Sequence, residues 1–246
     1  MSDDRPAIDP ADLFGVGGHG WDAETLRAVS PQQSAARRSA DAVRRLIVAF
    51  ETTGATVEDL DALTASIDAL ADSVAGGESA AYGALDDPTV VYQAHRLRER
   101  SPFIGRANPV ALPLLMDFGT DGVEARPTFS TLYEGPPGCL HGGYIAGIFD
   151  EALGAAQTFA GQAGMTGRLT IHYRSPTPLQ TELHLRAWLE SVSGRKIVCK
   201  GTLHAGDRLC AEADGLFIAV DPRKLLDEAD RLAAERAADL RRAAEG

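Results

Sequence analysis

The chain has 246 residues, 44% of them apolar, which suffices for one substantial core with an accessory segment. A formal charge of −11 argues against nucleic acid or an anionic membrane surface as the main partner. The 3 cysteines have no paired spacing for a disulfide framework or a zinc site, and no run approaches the ~20 apolar residues of a membrane span.

The acidic start, MSDDRPAIDP, lacks the apolar region of a secretory signal, so the expected location is the cytoplasm. Residues 1–30 read as a loosely ordered arm. The glycines around His19 follow no strand, which speaks against a phosphate loop. Ser30-Pro31 supplies a cap and first-turn proline for a helix ending near Phe50, with Val43, Leu46, Ile47 and Phe50 on one side. Gly54 stops it. Thr56 caps a second helix in which Val57, Leu60, Leu63, Ile67, Leu70 and Val74 keep helical spacing, and the two predict an αα-hairpin. Asp87-Pro88 starts a third short helix carrying Val91, Ala94 and Leu97. This Ala- and Asp-rich region holds no evident chemistry; packing on the core or on a second subunit is the expected role.

From Ser101 the apolar period changes to two. Residues 114–118 and 123–132 read as strands around a turn at 119–122. The stretch 139–161, CLHGGYIAGIFDEALGAAQTFAG, then reads as a Gly-rich turn entering a buried helix. At about 100° per residue, Ile145, Ile148, Phe149, Ala152, Ala156 and Phe159 share one face, while Gly143, Gly147, Asp150 and Gly154 form a narrow band opposite. Glycine costs a helix roughly 0.5–1 kcal/mol relative to alanine, so a carboxylate on a glycine stripe suggests that a ligand or another backbone approaches closely. The same glycines would also serve if they only let the helix pack tightly. Ahead of them, His141-Gly142-Gly143 offers N–H groups at a helix start, where the dipole favours negative charge, an arrangement suited to an oxyanion hole.

Further strands alternate through 169–173, 182–190, 197–204 and 209–220, with turns at Ser193-Gly194 and Gly206-Asp207. Long strands with short loops after one apolar helix imply an antiparallel sheet wrapped around that helix, an α+β arrangement. Leu225, Ala229, Leu232 and Leu240 then predict an amphipathic C-terminal helix.

His141-Gly142-Gly143, the carboxylate nine positions on at Asp150, and the run LTIHYRSPTP at 169–178 together resemble the hotdog-fold acyl-CoA thioesterases, in particular the phenylacetate-pathway and hydroxybenzoyl-CoA branch. The resemblance runs from about Leu114 to Pro222. It implies a hotdog domain over 101–222, which the helical spacing on either side flanks with an N-terminal arm and helical extension over 1–100 and a C-terminal helix over 223–246. It also implies acyl-CoA as substrate with no separate cofactor, and a homodimer or dimer of dimers whose active site is shared between subunits. By position, Asp150 takes the role of base or nucleophile, and the Gly142 N–H receives the thioester carbonyl beside His141. Thr166, sixteen residues after the acid, matches a hydroxyl that orients water in some members; its other reading is a loop threonine at a strand start. Where other members carry an amide upstream, this chain has Glu134-Gly135.

Glu151 is a competing acid about 100° off the stripe. Gly143 and Tyr144 border the substrate in this reading, and Arg174, Arg195, Lys196 and Lys200 are candidates for the coenzyme A phosphates or, equally, solvated charges. Other readings stay open, one of them a helical scaffold protein in which the N-terminal region dominates function. A non-catalytic hotdog protein that binds acyl-CoA would not need Asp150, and a hydratase would need an Asp/His signature that is absent. A Cys139/His141 nucleophile pair lacks an orienting third group.

Overall fold

The computed structural model describes residues 31–51, 53–74, 99, 101–112, 114–162 and 164–220, with Arg231, Glu235 and Arg242 beyond them. The expected N-terminal arm, third helix and most of the C-terminal helix lie outside these residues. The chain divides into two units, one over Arg27–Leu112 and the other carrying everything from Pro113 onward.

In the first unit, α1 spans Pro31–Glu51 and α2 spans Val57–Val74. Thr56 starts α2 by a reciprocal box: its hydroxyl accepts from the Asp59 N–H at 3.2 Å, and the Asp59 carboxylate accepts from the Thr56 N–H at 3.2 Å. On α1, the Arg44 guanidinium donates to the carbonyls of Gly105, Arg106 and Asn108 at 3.1, 3.0 and 2.6 Å, which fixes that loop to the helix. Arg37 pairs with Glu99, both side chains largely withdrawn from solvent. Both helices form where their spacing predicts, yet α2 buries none of its residues.

The second unit opens with β1 (Met116–Phe118) and β2 (Gly122–Ala125), followed by the central helix α3 (Gly142–Ala156). Then come β3 (Gly164–Tyr173), β4 (His184–Ser193), β5 (Lys196–Ala205) and β6 (Arg208–Ala219). The strands make one antiparallel sheet in the order β1-β2-β4-β5-β6-β3. The second strand ends at Ala125, short of the expected Leu132, because Pro127 lacks the N–H a ladder needs; the backbone continues as one bridge at Thr128 and a 3-10 turn over Thr131–Tyr133. The third begins at Gly164, five residues before Leu169, and absorbs the extra length in a bulge between Thr166 and Arg168.

α3 lies against the sheet through Ile145, Ile148, Phe149, Ala152, Leu153 and Ala156, all buried. The sheet makes room for it with glycines. A Cβ on Gly201 of β5 would stand 2.9 Å from the Arg186 carbonyl and 3.2 Å from the Phe149 ring, and one on Gly215 of β6 would stand 3.1 Å from Leu153. Strand alternation supplies the other side of the core, with Leu183, Leu185, Ala187, Ile197, Cys199, Leu203, Ala213 and Phe217 turned inward. The outward side carries ion pairs, among them Arg186 with Asp121, Lys200 with Glu190 and His184 with Glu124.

Candidate active site

The apolar stripe of α3 is spent on the core, so the glycine band opposite stays accessible. Gly143 and Asp150 are exposed, Gly147 is half-buried between them, and Gly154 is half-buried one turn beyond. Asp150 is held by a neighbour from the sheet: the Thr166 hydroxyl donates to its Oδ1 at 3.0 Å. The bulge after Thr166 keeps that side chain on the inner face, paired opposite buried Phe217. Glu151, one position on, is half-buried and has its own partner.

At the helix start, His141 is the cap. Its backbone is extended, with φ −63° and ψ 135°, and its Nδ1 accepts from the Gly143 N–H at 3.0 Å, so the ring proton sits on Nε2. That bond consumes the Gly143 donor. The Gly142 N–H, by contrast, has no acceptor among the described residues, and it lies at the first helical position where the dipole adds positive potential. The Gly142 carbonyl is anchored by the Tyr173 hydroxyl at 2.9 Å. The sequence marks Tyr173 only as a strand residue. The available signal was its parity with Leu169 and Ile171, which turns it toward the helix.

Tyr144 joins an edge-on aromatic series, 5.1 Å from Tyr133, which is itself 5.4 Å from Phe129. Glu134 is folded onto its own loop, accepting from the Gly138 N–H at 2.6 Å. Gly135 passes so close to the cap that a Cβ there would lie 2.8 Å from the His141 Cα. No amide side chain could stand at 135 without displacing His141.

The cations are dispersed. Arg174 pairs with Glu212 across the outer face, and its guanidinium holds the Glu212 carboxyl below the ordinary range. Lys200 pairs with Glu190 at 3.0 Å, which raises the ammonium and lowers the acid. Arg195 and Lys196 lie at the β4–β5 turn, where Arg195 Nε donates to the Ala219 carbonyl at 3.1 Å. From Thr166 to Arg174 the strand runs eight residues, roughly 26 Å at ~3.3 Å each, so Arg174 and the Arg195/Lys196 pair mark opposite ends of the sheet.

Residues 137–212 match the family model described as Thioesterase superfamily. A crystal structure of a thioesterase superfamily protein superposes with a TM-score of 0.67 at 33% sequence identity, covering 77% of this chain and 97% of that one. The chain belongs to the thioesterase superfamily. Its α+β architecture is the hotdog fold, with α3 as the enclosed helix. Among curated proteins, acyl-coenzyme A thioesterase THEM4 of Bos taurus is 39% identical over 93 residues, 37% of this chain and 38% of that protein. The Mus musculus protein of the same name is 39% identical over 95 residues, 38% of this chain and 41% of the relative. This thioesterase superfamily chain therefore spans well under half the length of the curated relatives it matches. Among the described residues, no helix is long and apolar enough to cross a membrane.

Proposed function

We propose that this chain hydrolyses an acyl-CoA thioester to the free acid and coenzyme A, at a site composed from two copies, in the manner of the phenylacetate-pathway branch. The observation that carries this reading is the pairing of an accessible, Thr166-bonded Asp150 with a Gly142 N–H that has no acceptor among the described residues, eight residues apart on one helix. At 1.5 Å rise per residue that is about 12 Å, too far for both to touch one carbonyl. Each needs a counterpart from elsewhere. β3 is the longer of the two edge strands of the sheet, ten residues against three in β1, and carries both Thr166 and Tyr173; a second β3 pairing along that edge would bring Gly142 of one copy toward Asp150 of the other.

In this site the thioester oxygen accepts from the Gly142 N–H as charge develops on it, an interaction worth about 3–4 kcal/mol in the transition state. Asp150 either removes a proton from the water that attacks the carbonyl carbon or attacks that carbon itself. The C–S bond then breaks and the thiolate leaves, a good leaving group because a thiol has a pKa of about 8.5. Thr166 and Tyr173 hold Asp150 and the Gly142 peptide in place, His141 shapes the turn, and Gly143 and Tyr144 border the acyl group. Arg174, Arg195 and Lys196 remain candidates for the coenzyme A phosphates: Lys196 is exposed, and Arg174 and Arg195 are exposed enough to exchange their present partners for one. The helical region over 1–100 is accessory in this reading, and the free thiols Cys139, Cys199 and Cys210 suit a reducing cytoplasm.

The test is thiol release from a panel of acyl-CoAs, followed by complementation. Gly142→Pro deletes the N–H at a position where proline suits the helix start, and His141 already has the extended backbone required before proline. Asp150→Asn deletes the acid. Each alone should be inactive. Co-assembled, half of the dimers are mixed and each of those has one intact site, so about a quarter of the parent activity should return. Mixtures as inactive as their components would place both groups in one copy or discard the reading.

A further inference from the structure

The face of α3 that carries Asp150 continues past the acid. Gly154 lies about one turn on and Gln157 about two, some 10.5 Å from Asp150 along the axis and only about 20° round it. Gly154 is half-buried, yet a Cβ there would meet nothing within 4 Å. Packing within the chain therefore gives no reason for glycine, a costly residue inside a helix, and leaves an open groove beside the acid.

Gln157 lies at the far end of that groove. It is 2% exposed, and its Oε1 is buried with no hydrogen-bond partner among the described residues. The oxygen is turned toward β3: a Cβ on Gly164 would stand 3.0 Å from it, 3.2 Å from Phe217 and 3.3 Å from Ile197. Gly164 precedes Thr166 by two residues and shares its inner side of the strand, so α3 and β3 meet twice, through Asp150 and Thr166 and again through Gln157 and Gly164. The first contact is a hydrogen bond. The second leaves a buried acceptor unsatisfied, which costs more than an ordinary hydrogen bond gains. A water is a poor remedy, because it needs two or more polar partners and Phe217 and Ile197 offer none. A hydroxyl carried on a chain needs only the one.

We propose that Gln157 selects the acyl group: the chain starts at Asp150, passes over Gly154 and donates a remote hydroxyl, aliphatic or phenolic, to Gln157 Oε1. This rests on the thioester reading above and adds the class of acid released, a hydroxy acid whose hydroxyl stands well away from its carboxyl group.

The experiment measures thiol release from pairs of acyl-CoAs that differ only in a remote hydroxyl, one series aliphatic and one phenyl, and binding of the same pairs to Asp150→Asn by calorimetry. In the series that fits, the parent should favour the hydroxylated member at least about tenfold in kcat/KM, and Asp150→Asn should favour it as strongly in affinity. Gln157→Met removes the acceptor at similar volume and should reverse the preference, because the plain chain then meets an apolar floor and the hydroxyl becomes the unpaired group. Its melting temperature should not fall, since an unsatisfied oxygen is lost with it. Gly154→Leu fills the groove and should weaken both members of each pair while helix content is kept. Equal handling of both members by the parent in both series, or a preference that survives Gln157→Met, overturns the subsite and leaves hydrolysis standing. Selective binding with no turnover of any acyl-CoA keeps the subsite and discards the hydrolytic reading.

Discussion

Thr166 on strand β3 donates a hydrogen bond of 3.0 Å to Asp150 on helix α3, sixteen residues earlier in the chain. The bond ties the sheet to the one carboxylate on the glycine-lined face of the helix. It fixes the orientation of a group that would otherwise rotate freely in solvent.

Asp150→Asn keeps the volume and the contact with Thr166 but removes the charge. General acid–base catalysis is worth roughly 10²–10⁴-fold, so kcat for acyl-CoA hydrolysis should fall at least about a hundredfold with substrate binding retained. Glu151→Gln should do far less. Equal activity of Asp150→Asn and the parent, measured by thiol release, would remove Asp150 from the mechanism.

Thr166→Val deletes the hydroxyl at nearly constant shape. The loss of one hydrogen bond of about 1 kcal/mol predicts a fall in kcat of about fivefold, and Thr166→Ser should recover most of it. If Val and Ser behave alike, the hydroxyl does not position Asp150.

Tyr173→Phe frees the Gly142 carbonyl from its anchor at 2.9 Å. The expected outcome is a kcat loss of a few-fold with little change in KM, because the Gly142 N–H would wander from the oxygen it is meant to receive. A change confined to KM would instead assign Tyr173 to substrate contact.

Gly201→Ala tests the seat of the helix. Its new methyl group would meet the Arg186 carbonyl and the Phe149 ring at 2.9 and 3.2 Å, and overpacking of this kind costs about 1–3 kcal/mol. Urea denaturation should show the loss. Gly54→Ala, where a Cβ meets nothing within 4 Å, is the control and should be near neutral.

Burial in the core pushes the Cys199 thiol up to about 12. In the unfolded chain a thiol ionises near 8.5, so above roughly pH 9 the unfolded state sheds a proton that the folded state keeps. Stability should therefore fall as pH rises through this window, by up to about 1.4 kcal/mol per unit. Cys199→Ala should flatten that slope in denaturation series from pH 8 to 10.5, whatever it costs at neutral pH. An unchanged slope would show that another group governs the alkaline limb.

Much of the fold was legible because local periodicity and tertiary burial coincide in the second unit. Ile145, Ile148, Phe149, Ala152 and Ala156 repeat at helical spacing and are the residues α3 buries; Leu183, Leu185 and Ala187 alternate and turn inward. Asp150 stood out because glycines flank it at one-turn intervals, a pattern a helix tolerates only at a cost. The second strand stops short of the alternation that continues to Leu132, because Pro127 cannot donate to a ladder.

What the sequence by itself determined was the set of faces: which side of α3 is apolar, which carries the acid, and which strands have an inner row. These follow from backbone geometry that repeats every 3.6 or every 2 residues. The tertiary structure alone decided which faces meet. The bulge after Thr166 shifts its register so that the hydroxyl reaches Asp150, and the Tyr173 hydroxyl spans 31 positions to the Gly142 carbonyl. No local pattern encodes either contact, because each depends on the register of β3 against β6 and on where glycines at 201 and 215 let the helix settle.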